Sequence, residues 1–243
     1  MTRPFETLDP ALVLGAYAVG VFPMADARDA PSVYWVEPRR RAILPLERFH
    51  LSRSLRRTLL HDRFTVTADQ AFTPVLALCA EAAADRPDTW INPSIEQVFL
   101  RLHALGFAHS VEVWEGEQLV GGLYGLALGR AFFGESMVSR AADASKVALA
   151  ALVARLRAGG YTLLDCQFMT PHLASLGASE VARDDYVSSL SAAIGDAVAA
   201  GAFSPEAGAD FFALDRVAAG ADSVTVSGPL AGKDIVQLLV HTS

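Results

Sequence analysis

The stretch LLDCQF, Leu163 to Phe168, sets a carboxylate and an amide two residues apart in an otherwise apolar run. Read as a strand, its side chains alternate, so Leu163, Asp165 and Gln167 share one face and Leu164, Cys166 and Phe168 the other. A carboxylate is costly to desolvate unless it is paired or hydrogen-bonded. Three readings follow: an edge strand with a wet face, a buried acid paired to an arginine elsewhere, or an acid and amide arranged for chemistry. Other chemistries fail on spacing. GESMV (134–138) is not a G-x-S-x-G elbow, and Ser136 has no visible histidine partner. His50, His61, His103, His109, His172 and His241 never fall at H-x-x-x-H or H-E-x-x-H spacing, so no metal is expected. A P-loop and a dinucleotide fingerprint are both absent from the sequence.

The elements around this strand can be read from punctuation and period. Six prolines between Pro4 and Pro45 restrict the first 48 residues to short pieces: a helix over 10–20 and strands at YWVEP and RAILPL. LSRSLRRTLLHD opens with Ser52 as N-cap and lays arginines along one side of a helix. DQAFTPVLALCAEAA and NPSIEQVFLRLHALG predict two more helices. HSVEVWE, LVGGLYGLALG and RAFFGESMV, joined by tight Gly turns, predict an antiparallel meander. Next come a helix over DASKVALAALVARLRAGG, the YTLLDCQF strand, a short helix in TPHLASLGA and a longer one in RDDYVSSLSAAIGDAVAAG. SVTVS and DIVQLLVHT look like two tail strands. The class is α+β: a small mixed α/β N-terminal domain (1–48) and a larger domain (49–243) with a mainly antiparallel central sheet flanked by helices. Three strands, a helix and a strand is the core order of an N-acetyltransferase (GNAT-like) sheet, whose natural donor is acyl-coenzyme A. The junction after the meander reads SRAADASK, however, without the glycines that let a backbone approach a diphosphate.

A chain of 243 residues, 52% hydrophobic and 19% charged, can bury a sizeable core. Cys79 and Cys166 belong to no CxxC pair and read as reduced thiols of a cytosolic protein. The apolar run from Ala11 to Ala27 resembles a signal core, but Glu6 and Asp9 beside Arg3 give the wrong charge ahead of it. No apolar run reaches the ~18 residues of a membrane span. The net charge of −7 hides a split. Residues 39–63 carry eight arginines against Glu47 and Asp62, a local +6 that leaves −13 on the remainder. Such a segment is either a solvated face or a phosphate-binding one. Its being all arginine favours forked phosphate contacts.

Taken in order, YAVGVFPM (17–24), YWVEPRRRAIL (34–44), FHLSRSLRR (49–57), TWI (89–91), LHALGFAHSVEVW (102–114), LVGGLYG (119–125), FFGESM (132–137), ASKVAL (144–149), LLDCQ (163–167) and TPHLASLGA (170–178) resemble the leucyl/phenylalanyl-tRNA–protein transferase family. The resemblance covers about residues 10–187. It departs mildly at Val138, where an aromatic is common, and at Asp143, where Asn is common. The last 55 or so residues carry little signal.

The resemblance implies transfer of leucine or phenylalanine, and methionine less well, from aminoacyl-tRNA (Leu-tRNA, Phe-tRNA) to proteins with N-terminal Lys or Arg. The product would be an N-degron passed to an adaptor and protease. No cofactor is implied, since the ester on RNA replaces coenzyme A. By the same resemblance Gln167 accepts a hydrogen bond from the incoming amine, while Asp165 orients that pair or takes the proton, unless the adenosine 2′-hydroxyl relays it. Glu135 would hold the positively charged acceptor. Leu123, Phe132, Leu149, Leu152, Leu156 and Leu164 would form the aminoacyl pocket, although such a stripe by itself more often marks ordinary core. Trp35 and Trp90 would stack the terminal adenine, and Arg53, Arg56 and Arg57 would meet acceptor-stem phosphates. A cytoplasmic monomer is the default. The competing readings are an acyl-coenzyme A N-acetyltransferase and a non-catalytic tRNA- or degron-binding module.

Overall fold

The computed structural model describes residues 5–61, 63–81, 89–199, 201–205, 208–219 and 228–240. Helix α1 (Pro10–Ala18) starts at Asp9, whose carboxylate accepts from the Ala11 N–H at 2.9 Å, with Pro10 in the first turn where no N–H is needed. Strands β1 (Phe22–Met24) and β2 (Tyr34–Val36) pair antiparallel as a separate two-stranded sheet. After β3 (Arg40–Ile43) comes α2 (Arg53–Leu60). The Ser52 hydroxyl caps α2 by accepting from the Leu55 N–H at 3.2 Å, as the sequence predicts, and Leu55 and Leu59 are buried while Arg53, Arg56 and Arg57 are exposed. The chain continues through β4 (Thr65–Ala68), α3 (Phe72–Ala80) and α4 (Pro93–Ala104) into the expected meander of β5 (Ala108–Glu115), β6 (Gln118–Leu128) and β7 (Ala131–Ser139). It ends with α5 (Ala144–Ala158), β8 (Leu163–Gln167), α6 (Pro171–Ser175), β9 (Ser179–Ala182), α7 (Arg183–Ala199), α8 (Ala213–Ala219) and α9 (Gly232–Val240).

Among the described residues, seven strands form the main sheet in the order β4-β5-β6-β7-β8-β3-β9. Only β7 and β8 run parallel; the other neighbours are antiparallel. The crossover that this parallel pair requires is α5. Every residue of α5 from Val147 to Leu156 is buried, so it packs as an apolar rod between the sheet and α2, α8 and α9. Its N-terminus lies so close to the sheet that a Cβ on Gly121 would stand 2.6 Å from the Cβ of Ala144. The opposite face carries α1, α3, α4 and α7 over a second apolar cluster. Alternation along β8 holds, with Leu164 in the α5-side cluster and Leu163 in the other.

DIVQLLVHT is not a strand where it is described: residues up to Val240 are helical, with Ile235, Val236 and Leu239 buried at helical spacing against α2 and α5. Its β-branched content suggested the wrong period. SVTVS (223–227) lies outside the described residues. The poorly patterned tail nonetheless docks: Phe211 stacks on His109 with centroids 4.1 Å apart, and Arg155 forms a buried ion pair with Asp215. Among the described residues no helix is long and apolar enough to cross a membrane.

Candidate active site

Backbone pairing between β7 and β8 ends at Phe133 and Asp165, and the residues just beyond on both strands line an open cavity of about 420 Å³. That volume lies in the range of small-ligand sites. Its walls are apolar, from Leu123 of β6, Leu149 and Leu152 of α5, Leu164 of β8 and Leu173 of α6. Trp90 and Phe168 also contribute, and Phe168 is exposed. Glu135 and Gln167, hydrogen-bonded to each other, form a polar edge, and Ser136, Thr170 and His172 also line the cavity.

Behind that edge lies an ion pair. Asp165 has 0% exposure and accepts from Arg41 Nε at 2.9 Å on both oxygens, from Arg41 Nη2 at 2.7 Å, from the Tyr186 hydroxyl at 2.7 Å and from the Gln167 backbone N–H at 2.8 Å. Arg41, itself 1% exposed, also donates from Nη1 to the Gly20 carbonyl at 3.0 Å. Its guanidinium lies over the rings of Phe22 and Tyr186, 4.5 and 4.7 Å from their centroids. Burial and the Asp165 charge push the Tyr186 phenol up, so it serves as a donor throughout the physiological range. The strand is thus neither a wet edge nor a free acid: its carboxylate is sealed behind the cavity, and only the amide reaches the wall.

Gln167 is held unusually. Its φ is +60°, in the left-handed region that costs a non-glycine residue about 1–2 kcal/mol. The Asp165 bond to its N–H helps pay for that conformation. Its Nε2 donates to Glu135 Oε1 at 2.9 Å, whereas Asp165 meets its backbone alone. Glu135 Oε2 is buried with no hydrogen-bond partner among the described residues. Burial pushes the Glu135 carboxyl up to about 7, with Tyr17 and Gln167 favouring the anion, Asp165 opposing it and Arg41 again favouring it. Burial and then Asp165 push the Cys166 thiol up, so the sulfur on the cavity wall is not a thiolate nucleophile. Burial, then Lys146, lowers the His172 imidazole, whose Nε2 also lacks a hydrogen-bond partner among the described residues.

A stability prediction follows from Glu135. A carboxyl that binds its proton more tightly folded than unfolded stabilises the fold below about pH 4.5 and loses that contribution as pH rises through about 7. At about 1.4 kcal/mol per unit, the buried anion costs on the order of 3 kcal/mol above that window. Glu135→Gln is therefore expected to raise the urea midpoint at pH 8 and to converge on wild type toward pH 5. Equal midpoints at pH 8 would show that the anion is better solvated than its burial implies.

The structure gathers Trp90, Leu123, Glu135, Leu149, Leu152, Leu164 and Gln167 around one cavity. Phe132 and Leu156 are not on its wall. Phe132 is in the core, stacked on Phe211 with centroids 5.8 Å apart, and Leu156 lies one turn beyond Leu152 on the buried helix. Trp35 is 38% exposed and faces a separate shallow groove formed with Ala11, Leu12 and Gly15 of α1, because β2 pairs with β1 outside the main sheet. Arg53, Arg56 and Arg57 line their own surface hollow of about 310 Å³ and make no ion pair among the described residues. The arginine-rich segment is not one surface: Arg41 turns inward, and Arg40 and Arg63 pair with Glu180 and Glu115. Sequence reasoning missed Arg41 and Tyr186. Arg41 sat inside a charge run, and Tyr186 had the same i, i+4 spacing to Leu190 as ordinary core.

The comparisons with known proteins agree with one another. A family model described as leucyl/phenylalanyl-tRNA protein transferase matches residues 43–191, and a model of that transferase's N-terminal domain matches residues 6–39. A leucyl/phenylalanyl-tRNA–protein transferase of Rhizorhabdus wittichii is 60% identical over 247 residues, covering 98% of this chain and 100% of that relative. One from Phenylobacterium zucineum is 52% identical, over 95% of this chain and 96% of its own. A third, from Zymomonas mobilis, is 59% identical over 77% of this chain and 70% of its own.

Proposed function

This chain belongs to the leucyl/phenylalanyl-tRNA protein transferase family, and from that premise we propose that it moves leucine or phenylalanine, and methionine less well, from aminoacyl-tRNA to the α-amine of proteins beginning with Lys or Arg. The product would be an N-degron made in the cytoplasm, without a cofactor. The observation that carries this reading is the cavity: an apolar chamber of about 420 Å³ with a Gln167–Glu135 edge. Leu123, Leu149, Leu152 and Leu164 suit an apolar side chain unbranched at Cβ, aliphatic or aromatic. Such a wall separates neighbours by only ~1–3 kcal/mol, in keeping with acceptance of Leu, Phe and Met together. Trp90, at the cavity, is the better adenine platform of the two tryptophans.

The reaction needs little beyond orientation. The ester is already activated, and an α-amine with a pKa near ~7.7–8.0 is partly neutral at pH 7. Gln167 would accept from the amine through its amide oxygen, its nitrogen being engaged by Glu135 at 2.9 Å. Asp165 would act through the backbone of Gln167 as a positioning residue. Glu135 supplies the negative potential for a cationic acceptor.

The test incubates the protein with Leu-tRNA and an Arg-initiated peptide and weighs the peptide. A gain of one leucyl residue is expected, dependent on the charged tRNA. No gain, or an acetyl gain from acetyl-coenzyme A without tRNA, would overturn the reading. In the same assay, reversing Arg53, Arg56 and Arg57 to glutamate should weaken donor binding and lower the slope of log affinity against log salt by about 2–3. Unchanged affinity and slope would make that face solvated surface only.

A further inference from the structure

We propose that Glu135, and not Asp165, takes the proton from the acceptor's α-ammonium. This rests on the transfer reading above and goes beyond electrostatic attraction between Glu135 and a cationic acceptor. The available lone pairs distinguish the two carboxylates. Asp165 is 0% exposed, does not line the cavity, and already accepts from Arg41, Tyr186 and the Gln167 N–H. To take a proton it would have to release Arg41, leaving a guanidinium charge uncompensated in the interior. Its side chain also makes no hydrogen bond to the Gln167 amide, so no relay runs from one to the other through that group. Glu135 has the opposite geometry. It lines the cavity, one oxygen holds Gln167 Nε2 at 2.9 Å, and the other is buried with no formed hydrogen bond among the described residues, the Tyr17 hydroxyl being the other donor that acts on this carboxylate. A base must stand within hydrogen-bond reach of the proton it removes, and this oxygen is the acceptor next to the amide that would orient the amine.

The step balances. The α-ammonium gives one proton to Glu135 Oε2 and becomes a neutral amine. Its lone pair forms the new C–N bond at the ester carbonyl, and the displaced electron pair moves to the carbonyl oxygen. As that oxygen reforms its double bond, the C–O3′ bond breaks. The departing 3′-oxygen takes the second proton from nitrogen, and Glu135 returns its own proton to solvent. The titratable and charged groups around Glu135 are Tyr17 from α1, Arg41 from β3, Tyr124 from β6, Asp165 and Cys166 from β8 and His172 from α6. With Glu135 titrating near 7, wild-type transfer should fall toward acid pH as its carboxylate is protonated.

The test compares wild type with Glu135→Gln on two acceptor peptides, one beginning with arginine and one with citrulline, its neutral isostere, which wild type is expected to use with a higher KM. Glutamine keeps an oxygen for Gln167 Nε2, and Leu-tRNA binding together with thermal melting checks that the cavity is intact. The expected result is a fall of about 10²-fold or more in the transfer rate at saturating acceptor, equal for both peptides. The acid limb near pH 7 should also be replaced by one set by the peptide amine alone. A loss confined to the arginine peptide and expressed in KM would overturn the proposal in favour of side-chain attraction. An unchanged rate on both peptides would also overturn it. A wild type that transfers to neither peptide overturns the functional reading itself, and this assignment with it.

Discussion

Asp165→Ala is expected to weaken the fold by about 3–5 kcal/mol and to abolish transfer, because it removes the partner of a buried guanidinium. Among the described residues Arg41 would retain only the Gly20 carbonyl at 3.0 Å and the Phe22 and Tyr186 rings. Tyr186 would lose its acceptor, and the Gln167 N–H its anchor. Five hydrogen bonds converge on one carboxylate from β3, α7 and β8, so the loss is shared by three elements that the sequence holds far apart. Loss of activity in this variant alone therefore says nothing about proton transfer. The informative partner is the double replacement Arg41→Met with Asp165→Leu. Exchanging a buried ion pair for apolar groups of similar volume is often neutral for stability. The double variant should recover most of the urea midpoint that Asp165→Ala loses, yet stay inactive because Gln167 is no longer held. Urea unfolding and the transfer assay on all variants check this. A wild-type midpoint for Asp165→Ala would mean that the ion pair is not what holds β3 against β8.

The same pair shows what could be read in advance. Alternation in LLDCQF correctly separates Leu163 from Leu164, and the cost of a lone carboxylate correctly demands a partner. The partner's identity was not legible, because Arg41 sits between Arg40 and Ala42 in a run whose other members are exposed or surface-paired. Only the antiparallel register of β3 on β8, with Ala42 opposite Gln167 and Ile43 opposite Asp165 across a bulge, brings it round. That register is a tertiary fact. The aminoacyl wall was legible in part for a related reason. In α5 every residue from Val147 to Leu156 is buried, so helical spacing cannot tell the cavity-facing Leu149 and Leu152 from the core residue Leu156. Caps are local and were legible, as Ser52 shows. The tail misled where β-branched composition was weighed above the i, i+1, i+4 spacing of Ile235, Val236 and Leu239.

Gln167→Gly should separate catalysis from stability more sharply than any other single change. Gln167 occupies φ +60°, which glycine adopts without the Cβ penalty, so relief of strain offsets the lost 2.9 Å bond to Glu135. Stability should stay within about 1 kcal/mol of wild type, while transfer falls by about 10²-fold or more because the amide that orients the amine is gone. Gln167→Ala loses the same amide and keeps the strained backbone, so it should be as inactive but less stable than the glycine variant, by about 1–2 kcal/mol. Asparagine, which tolerates the left-handed region, keeps an amide one methylene short and should fold well with little activity. Denaturant midpoints and initial transfer rates for the three variants give the comparison. If the glycine variant transfers within a few-fold of wild type, the amide is scenery, and the strained backbone at this position serves the fold alone. If it is inactive yet at least as stable as the alanine variant, the strain at Gln167 is maintained for the placement of one side chain on the cavity wall.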